Sequence, residues 1–157
     1  MNASRIKPMI RRAVESDLPN VVRLLSIADE GIVKDDSPSE PLDSRYAASL
    51  AAIASDPNNM LLVSEVGGRV AGAFHFTTIQ YVTHRGGRVG MIESVIVDPD
   101  MRGQGIGEAM MRWAVDEGRR RGCLRLQLTS NKVRKRARAF YERLGFVASH
   151  EGMKLRL

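Results

Sequence analysis

A chain of 157 residues, 43% hydrophobic and 27% charged, can bury one core of ordinary size and is too apolar to stay disordered. It holds no run of about 18 apolar residues to cross a membrane. The first 13 residues have no apolar signal core, and a single cysteine, Cys123, excludes an internal disulfide and fits a reducing cytoplasm.

Taken in chain order, residues 9–13 read as a short strand. Ser16 is placed to cap a helix whose apolar positions, Val21, Leu24, Leu25 and Ala28, recur at helical spacing. A polar, proline-bearing loop at 35–41 leads to a second helix at 44–55, closed by Asp56-Pro57. The pattern then changes to strands. Segments 60–66 and 70–82 flank the turn Gly67-Gly68, and a further turn at 84–87 enters the apolar strand 89–97, which stops at Asp98-Pro99. In 106–121, Ile106, Ala109, Met110, Trp113 and Ala114 make one helical face, with Gly122 at the C-terminal stop. Leu124, Leu126 and Leu128 alternate with polar residues in strand 123–129. Val133, Ala137, Phe140, Tyr141 and Leu144 mark another helix, and Met153, Leu155 and Leu157 alternate as a final strand. This order predicts an α/β (α+β) domain over residues 1–157 with an antiparallel meander at its centre, rather than strict βαβα alternation.

Charge is unevenly placed. The net charge is +6; residues 1–60 carry seven Lys+Arg and nine Asp+Glu, and residues 61–157 carry seventeen and nine. From Arg119 to Arg138 there are nine basic residues and no acid, a place for an anion or simply a solvated face. His75, His84 and His150 are scattered without metal-ligand spacing, so no metal is expected.

The stretch that carries chemistry runs from Met91 to Ala114. An apolar strand enters a turn, and Arg102-Gly103-Gln104-Gly105-Ile106-Gly107 opens a helix. Glycines there let backbone N–H groups approach an anion, and the helix dipole adds attraction. No Gly-Lys-Ser/Thr follows, and the glycine spacing is not that of a dinucleotide fold. By itself the segment is equally a tight strand-to-helix turn. Within the same strand, Glu93 is a carboxylate among apolar residues: a candidate general base, or half of an ion pair with Arg88 or Arg125.

Arg102-x-x-Gly105-x-Gly107 after Val95-Ile96-Val97-Asp98-Pro99, followed by Asn131 and Ala139-Phe140-Tyr141-Glu142-Arg143-Leu144-Gly145-Phe146, resembles the paired signatures of the GNAT superfamily of N-acetyltransferases. The likeness is good over residues 60–157 and extends before them only in layout. It implies a GNAT fold: a central mixed, mostly antiparallel sheet, splayed between strands 4 and 5 and flanked by about four helices. It also implies transfer of acetyl from acetyl-CoA, as co-substrate, to a primary amine by direct attack in a ternary complex.

By that resemblance, Val95, Ile96 and Val97 pair with the pantetheine arm, and a backbone N–H near Val97 polarises the thioester. Gly103, Gln104, Gly105, Ile106, Gly107 and Glu108 form the pyrophosphate turn, with charge from Arg102. Asn131 touches the pantetheine; Lys132, Arg134, Lys135 and Arg136 are candidates for the adenosine phosphates. Tyr141 is the implied general acid, since a phenol suits a thiolate of similar pKa. The implied acceptor mouth holds Asp35, Asp36, Glu40, His75, Tyr81, His84 and Arg85. Segment 93–145 is also similar to aminoalkylphosphonate and other small-amine acetyltransferases. The first expectation is therefore a small-molecule amine acceptor and a cytoplasmic monomer or homodimer with no nucleic-acid or membrane partner. A protein N-terminus or lysine is the alternative acceptor. A nucleic-acid-binding module is the alternative of another class, poor in the aromatics that stack on bases at 5% of the chain.

Overall fold

The computed structural model describes residues 7–32 and 34–157; residues 1–6 of the stretch read for a signal core lie outside it. Five strands, β1 (Met9–Arg12), β2 (Asn59–Val66), β3 (Arg69–Gln80), β4 (Arg88–Val97) and β5 (Cys123–Leu128), form one sheet in chain order. The first three pairings are antiparallel and β4–β5 is parallel. The helices are α1 (Leu18–Ser26), α2 (Ser44–Ser55), a single turn α3 (Thr83–Gly86), α4 (Ile106–Arg120) and α5 (Lys135–Arg143). Thus four full helices and one short turn flank the sheet among the described residues. No helix of these residues is long and apolar enough to cross a membrane.

Each face of the sheet buries its own core. Met60, Leu62, Phe74, Phe76, Ile92 and Met110 pack with α4 and α5, and Trp113 meets Phe74 and Phe76 edge-on at 5.8 and 6.0 Å. Val21, Leu24, Leu61, Val63, Ala73 and Ile96 pack with α1 and α2. Ile92 and Ile96 lie an even number of residues apart yet serve opposite faces. The reason is a β-bulge: His75 pairs with Glu93 and Ala73 with Ile96, so Phe74 alone opposes Ser94 and Val95. Ser94 takes up the extra residue in the left-handed region at φ 53°.

Parallel pairing of β4 with β5 ends at Ile92 and Leu128, while β4 runs on to Val97. The sheet is therefore open between its two parallel strands just where the bulge begins. At the far end of β4, buried Asp98 accepts from Arg23 and Arg69 at 2.9 Å each and from the Asp100 N–H at 3.1 Å. Asp98 is 2% exposed and its arginines are half exposed, so losing both arginines, not one, would leave a buried carboxylate unpaired. This clamp fixes the turn that leads into α4 against α1 and β3.

Several expectations need correction. Residues 147–157 form no strand: Met153, Leu155 and Leu157 are 96%, 87% and 117% exposed, and no neighbouring strand pairs with them. Alternation was a sound pattern without a partner to fold against. Ser16 does not cap α1; it sits inside a 3₁₀ turn (Glu15–Asp17), and Asp17 precedes the helix with its carboxylate turned to Arg11 at 2.7 and 2.9 Å. Val82 lies beyond β3, and Val133 lies before α5, where the Asn131 side chain accepts its N–H at 3.2 Å.

Candidate functional site

A cavity of about 530 Å³ opens where the free end of β4, the glycine turn and the first turns of α4 and α5 converge. Val95, Ile96 and Val97 line one side. Arg102, Gly103, Gln104, Gly105, Ile106, Gly107 and Glu108 form the turn, and Arg136 and Tyr141 face them from α5. Of the predicted cofactor residues, Asn131, Lys132 and Lys135 do not line this cavity. Asn131 instead lines a second cavity, and Lys135 begins α5.

The glycines suit a large anionic ligand. Gly105 has φ 86° at the N-cap of α4, a left-handed backbone that L side chains rarely adopt. A Cβ on Gly107 would stand 3.3 Å from Phe140 Cζ, a tight approach that would ask the ring to give by a few tenths of an ångström. Exposed N–H groups of a 15-residue helix then point their dipole at the space.

A second cavity of about 250 Å³ shares Val95, Ile96, Arg134 and Tyr141 with the first and lies across the gap in the sheet. Glu93, Ser94 and Asn131 line it, along with Lys34 and Asp36 from the α1–α2 connection and Lys154 from the C-terminal tail. Of the predicted mouth residues only Asp36 is in its wall; Asp35, Glu40, His75, Tyr81, His84 and Arg85 are not.

Tyr141 is 9% exposed and belongs to both cavities. Burial raises its phenol pKa above the ordinary value; the Arg134 charge opposes this and the Glu93 charge reinforces it. The phenol therefore keeps its proton at neutral pH. Glu93 is exposed, not buried as its apolar neighbours suggest, and the bulge puts it on the face opposite Val95 and Val97. Neither expected ion pair forms: Arg88 donates to Gln80 at 3.3 Å and Arg125 to Gln127 at 2.6 Å. His75 is the residue directly across from Glu93, and burial lowers its pKa. Cys123 opens β5 away from both cavities, and burial raises its thiol pKa, which leaves it a poor nucleophile.

One residue of the first cavity has no counterpart among the expectations. The Asp29 carboxylate accepts from Arg102 at 3.3 Å and from Arg134 at 2.7 Å. Burial pushes its pKa up, but the Arg134 hydrogen bond and the two guanidinium charges bring it net below the ordinary value. Asp29-Glu30-Gly31-Ile32 is a tight turn with left-handed Glu30 and Gly31, at φ 49° and 79°. The Glu30-Gly31 pair was a turn signal in the sequence, but nothing local announces that the turn reaches two arginines more than 70 residues away.

A sheet parted between its parallel strands, with two cavities that share residues at the gap, suits a group-transferring enzyme. The sequence matches the acetyltransferase (GNAT) family over residues 24–146, and the chain belongs to that family, as an acetyl-CoA-dependent N-acetyltransferase. It is 30% identical over 141 residues to an aminoalkylphosphonate N-acetyltransferase of Salmonella typhimurium, covering 90% of this chain and 86% of that one. It is 34% identical over 145 residues to glucosamine 6-phosphate N-acetyltransferase 1 of Oryza sativa, covering 85% of each. A crystal structure from Bacillus halodurans, described as a transcriptional regulator, superposes with a TM-score of 0.91 at 38% identity, covering 96% of this chain and 100% of that one.

Asp29 occupies two arginines of the first cavity, where a polyanion would compete with it for them. Asp29→Asn is therefore expected to tighten CoA binding at low salt by about fivefold, the scale of one partly exposed charge pair. The gain should shrink as salt rises. Calorimetric titration of both proteins checks this; weaker binding by the variant would show that Asp29 positions the arginines rather than competing for them.

Proposed function

We propose that this acetyltransferase, one domain acting in the cytoplasm, acetylates the primary amine of a small molecule by direct attack within a ternary complex. The observation that carries this reading is that the two cavities meet at Tyr141, Val95 and Ile96, so that acetyl donor and amine approach from opposite sides of the open sheet. The second cavity is walled by the α1–α2 connection and the C-terminal tail, which favours a small ligand over a protein chain. The relatives named for aminoalkylphosphonate and glucosamine 6-phosphate support the same class of acceptor.

Bound acetyl-CoA supplies an activated acetyl thioester. The glycine turn and Arg102 hold its pyrophosphate, and the free edge of β4 from Val95 to Val97 receives the arm that carries the thioester. Backbone N–H groups of that edge polarise the thioester carbonyl. Glu93 takes a proton from the incoming ammonium, directly or through water, so that the amine nitrogen can bond to the acetyl carbon. As the carbon–sulfur bond breaks, Tyr141 gives its proton to the departing thiolate, and its phenolate regains one from the second proton that the nitrogen loses in becoming the amide.

Screening amines for acetyl-CoA-dependent thiol release tests the reading as a whole; release with none of a broad panel would refute it. Glu93→Gln tests the base. It is expected to lower kcat/KM about 10²-fold at neutral pH, with partial recovery towards pH of about 10, where alkylamines lose their proton unaided. A folded variant with a wild-type profile would pass the role to a water chain or to His75, which pairs with Glu93 across β3 and β4.

A nucleic-acid reading has one support, the regulator description of the Bacillus halodurans protein. The basic stretch argues against it, because most of its charges are already matched. Arg120 and Arg121 share Glu117 at 2.6 Å, Arg138 meets Glu142 at 2.8 Å, and Lys132 meets Glu151 at 3.3 Å.

A further inference from the structure

The second cavity has polar features that a plain amine does not use. Lys34 and Lys154 line it, and among the described residues neither makes an ion pair or side-chain hydrogen bond. Arg134 also lines it, with one guanidinium nitrogen on Asp29. Two further groups in its wall, Ser130 Oγ and Arg134 Nε, are buried without a hydrogen-bond partner. Leaving such groups unmet is destabilising, and Arg134 Nε can only donate. Lysines from two separate segments and a buried guanidinium N–H in one small cavity describe the complement of an anion.

We infer that the acceptor is an amine bearing a tetrahedral dianion, a phosphate or a phosphonate, held by Lys34, Lys154 and Arg134 with Ser130. The inference rests on the amine-acetylating reading above and specifies its substrate class. Three cations and a hydroxyl exceed what a single carboxylate needs and match the oxygens of a dianion. The acids of the cavity fit the other end of such a molecule. Glu93 lies on the sheet beside the gap where the amine must arrive, and Asp36 is engaged by the Tyr46 hydroxyl at 3.1 Å. The tail that carries Lys154 runs beside the site, where Glu151 meets Lys132 at 3.3 Å in an exposed ion pair.

The test compares O-phosphoethanolamine, ethanolamine and β-alanine as acceptors at pH of about 8, where a phosphomonoester is dianionic. The expected kcat/KM for O-phosphoethanolamine exceeds that for ethanolamine by about 10²-fold, the scale of charge-assisted hydrogen bonds to a buried group. That ratio should fall about tenfold in Lys34→Ala and again in Lys154→Ala, and survive in Lys154→Arg. Equal rates for the three acceptors, a preference for β-alanine, or a ratio unchanged in both alanine variants would overturn the inference. Calorimetry on the CoA-bound protein separates it from the transfer reading. If no acceptor is acetylated, but O-phosphoethanolamine binds more tightly than ethanolamine and Lys154→Ala removes the difference, the anion subsite stands and the transfer reading falls. Indistinguishable binding of the two would dispose of the subsite.

Discussion

Tyr141→Phe is expected to bind acetyl-CoA as the wild type does and to turn over about 10²-fold or more slowly, the scale of a lost general acid. The substitution removes one oxygen from a ring that is 9% exposed and packed edge-on against Phe140 and Phe146 at 5.2 and 5.8 Å. Those ring contacts persist in phenylalanine, so fold and cofactor affinity should hold. No protein group donates to the Tyr141 hydroxyl or accepts from it among the described residues, so its loss leaves no buried partner stranded. The pH profile carries a second signature. Because the pKa of the phenol is raised, the proton that it donates is retained at and above the ordinary phenol value. The wild-type rate should therefore show no alkaline loss due to Tyr141 below pH of about 10. Single-turnover kinetics on both proteins, with calorimetry for affinity, decide the matter. Near-normal turnover of the variant would make Tyr141 a packing residue.

Gly105→Val should all but abolish cofactor binding while leaving the fold intact. At φ 86° a β-branched residue is an outlier. The left-handed conformation alone disfavours an ordinary residue by about 1–2 kcal/mol, roughly tenfold or more in affinity if binding must enforce it. The added side chain also stands at the N-cap of α4, where the backbone must approach the pyrophosphate. The turn is anchored separately through Asp98, Arg23 and Arg69, so the melting temperature should fall only modestly. Wild-type affinity for CoA in a folded Gly105→Val protein would remove the glycine turn from the binding site.

The sequence was readable where one segment carries its own pattern. The glycine turn, the apolar run of β4 and the face of α4 each depend on residues close in the chain, and their cavity assignments follow. The bulge cannot be read from β4 alone, since its cause is a register mismatch between β3 and β4. That mismatch decides the placement of Glu93: strict alternation would set it with Val95 and Val97, and one extra residue at Ser94 puts it on the other face. Asp29, Lys34 and Lys154 could not be read at all. They reach the cavities from a connection and a tail, and the other residues that line those cavities are distant in sequence. The final strand failed for the same reason in reverse, since alternation describes a segment and not the neighbour that it requires.

The turn that begins at Asp29 touches the first cavity, and five residues later the same connection supplies Lys34 to the second. A polyanion bound at Arg102 would compete with Asp29 for that guanidinium, and the connection that bears Asp29 also bears Lys34 and Asp36. The two ligands are then thermodynamically coupled: whatever factor the first lends to the affinity of the second, the second returns to the first. Calorimetric titration of each ligand with and without the other should accordingly give the same factor in both directions, and Asp29→Asn should bring that factor towards one.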